Sequence, residues 1–432
     1  MSDDRFDAII VGGGVAGLSA AIVMANAGLE VMLIERGDNC GSKNMTGGRL
    51  YGHSLEKILP GFADEAPIER KVTKEKVSLM SEKSALDINF SSTNLSSDAE
   101  NASYTVLRGK FDRWLSEKAE EAGVALMNQI LCDKLLMEGD KVIGVDASGE
   151  EILSDVVILA DGVNSLLAQQ IGMKKELKPS EVAVGVKEVL SLDEETINQR
   201  FGLRGNEGCA WLSAGDPTAG SFGGGFIYTN KDSLSVGIVA TLEDIGYTGE
   251  ETVPRLLDRF KEHPSVAPFL EGATVTEYSA HLVPEAGIHM LPELYRDGVL
   301  VVGDAAGLCV NMGFTVRGMD FAIESGRIAA ETVIHAKSTG DFSKATLSMY
   351  QTMLNQSFVI KDMQSLKGFP TLLSRREIFK DLPEMADDIA TKLFTVDGKP
   401  SMDFLMYVIN SFTSHTSVKQ LSEFASTIID AF

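Results

Sequence analysis

FDAIIVGGGVAGLSAAIVMANAGLEVMLIE, residues Phe6 to Glu35, decides the fold. The apolar run Phe6-Asp7-Ala8-Ile9-Ile10-Val11 reads as a strand, and an alanine-rich helical pattern extends to Ala27. A second apolar strand, Val31 to Ile34, then ends on Glu35, completing a βαβ unit. Gly12 allows a tight strand-to-helix turn, Gly14 lets the backbone approach a pyrophosphate, and Gly17 brings the helix close to the sheet. The helix N-terminus, through Val15 and Ala16, offers free N–H groups to a phosphate. Glu35 stands where an acidic side chain accepts hydrogen bonds from an adenosine ribose. A glycine-rich turn in an ordinary α/β domain is the alternative, and it leaves Glu35 unexplained.

At 432 residues the chain exceeds one ordinary core, so two intimately packed domains are expected. Its net charge of -23, from 62 acidic and 39 basic residues, disfavours nucleic acid and gives no general attraction to anionic lipid. The start, MSDDRFD, passes directly into a strand without the pattern of a secretory signal. No apolar run reaches the roughly 18 residues of a membrane span, so a cytoplasmic chain is expected. The four cysteines, Cys40, Cys132, Cys209 and Cys309, are far apart, and no local spacing encodes a zinc site or an iron–sulfur cluster. Cys309 is the one expected nearest a cofactor.

Beyond the βαβ unit, Gly37 to Gly48 is a small-residue loop suited to pass close to a flat ligand; Lys43, Asn44, Thr46 and the following Arg49 supply polar side chains. Ser91 to Ser103 is polar and turn-rich, a hairpin tip or flap. Helical spacing follows over Phe111 to Ala122, and Ala125 to Leu131, Lys134 to Met137, Lys141 to Val145 and Glu151 to Leu153 read as a β-meander. The meander runs into the buried strand Val156 to Ala160, which ends at Asp161-Gly162. From about Val182 to Leu282 longer alternating segments and a helix near Val253 to Glu262 predict an antiparallel sheet with a helix beside it. Another buried strand, from Gly298, ends at Gly303-Asp304 and leads to a helix from about Arg317 to Ala336. The remainder is helical in pattern. The expected organisation is α/β: a discontinuous Rossmann-like nucleotide-binding domain (1–180 and 283–345) with its β-meander, an antiparallel-sheet domain (181–282), and a helical C-terminal region (346–432).

In an open α/β sheet, ligands sit outside the carboxyl ends of the strands, so Gly12 to Gly17, Asp161-Gly162 and Gly303-Asp304 can line one crevice. In Gly303-Asp304-Ala305-Ala306-Gly307, an acid after a buried strand can accept hydrogen bonds from a polyol while small neighbours admit the chain. A flavin dinucleotide carries such a ribityl polyol; a nicotinamide dinucleotide does not.

The glycine fingerprint, the ADG at Ala160 to Gly162 and the GDAAG at Gly303 to Gly307 resemble the FAD-binding domain of the glutathione-reductase and hydroxylase superfamily. Arg108, in YTVLRGKFDRWL, resembles an arginine that these proteins place near FAD. KNMTGGRLYGHSLEKILPGF (Lys43 to Phe62), FKEHPSVAPFLEG (Phe260 to Gly272) and GDAAGLCVNMGFTVRGMD (Gly303 to Asp320) resemble the FixC-type flavoproteins, relatives of the electron-transfer-flavoprotein:quinone oxidoreductases. The resemblance covers about residues 5 to 400, and the C-terminal tail matches less well. It implies an extended FAD with its pyrophosphate on Gly12 to Gly17, its ribose on Glu35 and its ribityl chain on Asp304. The implied cofactor contacts also take in Arg36, Lys43, Asn44, Thr46, Gly47, Arg49, Arg108, Ala160, Asp161, Gly162, Gly303 and Gly307. Asn311, Met312, Gly313 and Gly318 would pass beside the isoalloxazine. His53 is a further candidate to hydrogen-bond flavin or quinone, and no side chain is assigned as a proton catalyst.

The quinone oxidoreductases carry a four-cysteine ferredoxin-like segment that this chain lacks, whereas FixC-type systems place the cluster on a separate small subunit. The resemblance therefore implies an FAD oxidoreductase subunit that accepts electrons from the alpha and beta subunits of an electron transfer flavoprotein. It would pass them through a ferredoxin-like partner toward quinone, with peripheral contact at the inner face of the membrane. Some such complexes bifurcate electrons, and nothing in these residues decides that. A flavin-dependent isoprenoid reductase, an aromatic monooxygenase and a scaffold subunit with structural FAD are the competing expectations, because function resides in the site rather than the fold.

Overall fold

The structure is a computed structural model that describes residues 5–43, 48–245, 252–398 and 404–415, together with 423, 426 and 427. Strand β1 (Arg5–Val11) turns into helix α1 (Val15–Asn26), which returns the chain to strand β2 (Val31–Ile34) parallel to β1. The strand Glu150–Leu159 lies parallel to β1 on its other side, and Val299–Val301 extends the sheet beyond it. Ile9, Ile10, Val157, Ile158 and Leu300 are all fully buried, the signature of a parallel sheet covered on both faces.

Two details depart from the sequence pattern. Ala125–Met127 is not part of the meander; it pairs in parallel with β2 and forms the far edge of the nucleotide-binding sheet. The segments Glu151 to Leu153 and Val156 to Ala160 form one strand, Glu150–Leu159. Its first half closes the meander against Lys141–Ala147, and its second half runs in the parallel sheet. Ser154 and Asp155 break the apolar pattern but not the backbone ladder. Asp155 is instead paired with Arg5 at 3.5 Å and Lys337 at 3.1 Å.

A second, nine-stranded sheet runs in the order Thr274–Pro284, Val182–Ser191, Ser233–Thr241, Gly223–Thr229, Glu207–Gly215, Ile68–Met80, Ser103–Val106 and Arg49–Tyr51, with Ala85–Ser91 beside Ile68–Met80. It therefore draws strands from residues 49–106 as well as from 181–282, and the two contributions meet in the parallel pair Glu207–Gly215 and Ile68–Met80. Alternation of apolar residues marks these segments as strands but carries no information on which sheet they join. Trp211 is fully buried here; its indole N–H donates to Ser78 Oγ at 2.7 Å and the Lys76 ammonium lies 3.5 Å above its ring. The helix Val253–Glu262 buries Leu256, Leu257 and Phe260 in the same core.

The long helix Met319–Thr339 crosses α1 at very close range: a Cβ on Gly326 would collide with the Ala16 carbonyl oxygen. C-terminal helices Lys344–Gln356 to Phe404–His415 follow, and Tyr350 in the first donates its hydroxyl to the Val301 carbonyl at 3.0 Å, fastening it to the strand Val299–Val301. No helix among the described residues is long and apolar enough to cross a membrane. The Gly326 crossing gives a direct test: Gly326→Leu overpacks a backbone contact and should lower stability by about 1–3 kcal/mol or more, read as a lower urea midpoint. An unchanged midpoint would show that the two helices do not touch there.

Candidate functional site

Register brings the site together. Val11 pairs with Ile34 and Leu159, and Leu159 pairs with Val301, so the strands of β1, β2, Glu150–Leu159 and Val299–Val301 end level with one another. The residues that follow these strands line much of the site.

At the first wall, Gly12 has a φ of +111° and donates its N–H to the Ile34 carbonyl at 2.9 Å; a Cβ there would strike the Ala160 carbonyl oxygen. Gly14 caps α1 in an extended conformation with no side-chain cap and no acid in the first turn. The orphan N–H groups of that turn and the helix dipole thus face outward without a competing negative side chain. Gly17 lets α1 lie on the sheet, since its Cβ would strike the Gly12 carbonyl oxygen. Glu35, 8% exposed, accepts from the Gly13 N–H at 2.8 Å and the Gly37 N–H at 2.6 Å. The carboxylate fixes both loops, and a carboxylate's remaining lone pairs stay open to further donors. Arg36, next in the chain, is exposed.

Opposite lies the turn Gly303–Ala306, held by the Gly303 N–H to Ser325 Oγ at 3.0 Å and by Gly307, whose N–H closes onto the Asp304 carbonyl at 2.9 Å. The half-buried Asp304 carboxylate has no hydrogen-bond partner among the described residues. Burial holds its pKa above the usual carboxylate range, against the pull of His281, Arg108 and Lys174. Asp161 is likewise pushed up by burial, but it is partly satisfied by the Ser165 hydroxyl at 3.0 Å. Beside it Gly162 turns at a φ of +80°. Arg108 starts the helix Arg108–Glu121 and clasps the fully buried Asp112 through Nε at 2.8 Å and a terminal nitrogen at 2.7 Å. Bidentate pairing of this kind fixes a guanidinium in orientation as well as position.

The remaining wall joins the two sheets. Residues 310–317 form a small hairpin in which Asn311 Oδ1 accepts from the Gly313 N–H at 2.8 Å, and Met312 N–H bonds to the Thr315 carbonyl at 2.9 Å. Gly318 then caps the helix Met319–Thr339 without a side chain. Arg317 binds Asp320 through Nε at 2.9 Å and Asp362 at 2.6 Å, and His53 Nε2 lies 3.2 Å from Asp320. Arg49 is committed to Glu75 and Ser103, and its guanidinium stacks 4.7 Å from the Tyr51 ring. Arg317 flanks the same ring at 5.9 Å. The Tyr51 hydroxyl, Arg49 Nε and Asp320 Oδ1 are buried without partners among the described residues. Glu285, 8% exposed, accepts the Thr241 hydroxyl at 2.6 Å and a hydrogen bond with the Asn311 side chain, and burial raises its pKa to about 7. Burial also keeps the Cys309 thiol protonated.

Of the residues singled out in the sequence, Lys43 is exposed, and Asn44, Thr46 and Gly47 lie outside the described residues. Pattern reading passed over Asp112, Lys174, Glu285, Tyr51 and the Arg317–Asp320 pair. For two of these a signal was present, the i,i+4 spacing of Arg108 and Asp112 and the i,i+3 spacing of Arg317 and Asp320. The others meet most of their partners through tertiary contacts, Tyr51 on Arg49 being the exception.

An FAD-binding domain family model matches residues 5–214, and a model of the ETF-QO/FixC family C-terminal domain matches residues 369–425. The likeness thus extends well into the tail, where the sequence motifs alone suggested a weaker match. "Probable electron transfer flavoprotein-quinone oxidoreductase YdiS" of Escherichia coli K12 is 53% identical over 401 residues, 93% of each chain. "Protein FixC" of the same strain is 52% identical over 92% of each chain, and that of Azorhizobium caulinodans 42% over 93% of each. Among solved structures, a geranylgeranyl bacteriochlorophyll reductase-like protein from Thermoplasma acidophilum superposes with a TM-score of 0.71 at 21% identity, covering 98% of this chain and 99% of its own. The flavin-dependent brominase Bmp2 gives 0.62 at 17% identity over 95% of this chain and all of its own. These last two share the fold. With a relative more than half identical over nearly its whole length, the chain belongs to the ETF-QO/FixC family of FAD-dependent oxidoreductases.

Proposed function

We propose that this chain holds FAD extended across the strand ends, takes electrons from a reduced electron transfer flavoprotein and passes them through a separate ferredoxin-like subunit toward quinone. The observation that carries the cofactor placement is Asp304, a half-buried carboxylate with no hydrogen-bond partner among the described residues, level with an uncapped helix N-terminus and with Glu35. Such a group is costly unless hydroxyl donors meet it. The residues fit the cofactor: Gly12 makes the turn that lets its pyrophosphate approach, Gly14, Val15, Ala16 and Gly17 offer backbone N–H groups to it, Glu35 accepts from its ribose and Asp304 from its ribityl chain. Arg108 holds a positive charge near Asp304. Ala160, Asp161, Gly162, Gly303 and Gly307 shape the floor of the crevice, and Asn311 to Gly318 cover the end at which the isoalloxazine would lie.

FAD supplies the redox chemistry; the protein's own residues bind it, orient it and shield it from water. Four free cysteines without cluster spacing, one on each of four separate segments, favour an iron–sulfur centre on another subunit. Phe314 and Val316, 53% and 45% exposed on the hairpin beside the flavin end, favour a hydrophobic acceptor approaching there. Leu86, Ile88 and Phe90, exposed along one outer strand, favour a peripheral lipid contact.

Two outcomes test this reading. Asp304→Ala removes a charged acceptor from a buried polyol and should weaken FAD affinity by about 1–3 kcal/mol, seen as lower flavin content after purification; wild-type content would remove Asp304 from the site. The holoprotein should be reduced rapidly by reduced electron transfer flavoprotein and only slowly by NAD(P)H, with the partner subunits copurifying under native conditions. Fast NAD(P)H oxidation with oxygen consumption would instead indicate a monooxygenase.

A further inference from the structure

Lys174 follows the short helix Leu166–Gln170 and is only 6% exposed. Lysines ordinarily keep the ammonium in water while burying the stem, so an enclosed ammonium needs a reason. Here Nζ donates to the Val163 carbonyl at 2.7 Å and to the Ala305 carbonyl at 2.9 Å. Val163 lies two residues past Asp161, and Ala305 adjoins Asp304. One ammonium therefore bridges the loops that end two separate strands, the same two loops that carry Asp161 and Asp304. An ammonium has three protons to donate. Two go to these carbonyls, and no carboxylate among the described residues lies within ion-pair distance of the third.

We propose that Lys174 is a positioning residue for the flavin nucleotide: it sets the separation of the Asp161 and Asp304 loops and lends a positive charge to the seam that receives an anionic dinucleotide. This rests on the FAD placement given above. The groups around the ammonium make its charge consequential. Asp161 faces it from the loop after Glu150–Leu159, Asp304 from the turn after Val299–Val301, and Glu181 from the short helix Pro179–Glu181. Across the neighbouring turn, Arg296 is spent on the Ile171 and Gly172 carbonyls and on Glu293. Arg108 and His281 face Asp304 from the other side. Burial draws the Lys174 pKa down to about 8, with Asp161, Asp304 and Glu181 resisting. The ammonium is therefore charged at neutral pH and loses its proton as pH rises through 8. Its loss removes one positive charge from beside Asp161, Asp304 and the ligand, and for Asp304 leaves Arg108 on the far side, so FAD retention should fall above that pH. By linkage, each unit by which bound FAD raises this pKa weakens binding about tenfold once the lysine is neutral.

The test measures FAD dissociation constants by flavin fluorescence between pH 6.5 and 9.5 for wild-type chain, Lys174→Arg and Lys174→Met, with the melting temperature followed in parallel. Wild type should weaken about tenfold through pH 8 to 9. Lys174→Arg, charged throughout, should keep near-neutral affinity across the range, and Lys174→Met should bind weakly without an inflection. If Lys174→Met does not fold, the comparison of Lys174→Arg with wild type decides alone. An inflection near pH 8 that persists in Lys174→Arg, or wild-type affinity and profile in Lys174→Met, would overturn the proposal. A wild-type chain that takes up no FAD at any pH would overturn the cofactor placement beneath it.

Discussion

Parallel pairing aligns Val11 with Ile34 and Leu159, and Leu159 with Val301, and the glycine turn, Glu35, Asp161 and Asp304 are hung from that row. A parallel ladder in a fully covered sheet has little freedom to slip, because a shift of one residue would swap the side chains packed against its two covering layers. The row is kept level by contacts that admit no side chain: Gly12 against the Ala160 carbonyl, Gly17 against the Gly12 carbonyl, and Gly326 against the Ala16 carbonyl. Sheet, α1 and the helix Met319–Thr339 are thereby locked at backbone distance. The free N–H groups of α1 are held beside the turn that carries Asp304.

Inside this frame the acids are treated in three ways. Glu35 is satisfied by backbone N–H groups from two loops, Asp161 by the Ser165 hydroxyl, and Asp304 by nothing among the described residues. Burial acts on Asp161 and Asp304 in the same direction, favouring the neutral acid, and Lys174 and Arg108 work against it. On the reading proposed above, a dinucleotide with a ribose, a pyrophosphate and a polyol would meet this uneven set of acceptors.

The seam between the two sheets has a different character. Tyr51 lies between two guanidinium groups, each neutralised by carboxylates, and its hydroxyl has no partner among the described residues. Segments 49–53 and 310–320 meet here although some 260 residues separate them in the chain. Cation–π stacking of this kind holds the ring in place while leaving its polar end available, beside the exposed apolar hairpin of Phe314 and Val316.

Much of this was legible in one dimension. The βαβ unit, the glycine spacing, Glu35 and the two strand-ending acids are local signals, because a tight turn, a close phosphate approach and a buried strand each constrain residue type within a few positions. The destination of strands was not legible: Ala125–Met127 joins the nucleotide-binding sheet and residues 49–106 feed the nine-stranded one, since alternation records burial but not the partner. Lys174, Glu285 and Tyr51 were equally silent. Their roles depend on carbonyls, hydroxyls and guanidinium groups that lie anywhere from 2 to some 266 residues away in sequence. The sequence by itself determined that a dinucleotide-binding sheet would form and which acids would end its strands. Only the tertiary structure decided which charges face each other across the crevice, because electrostatic partnership depends on distance in space and on burial, and neither is written in the spacing of residues along a chain.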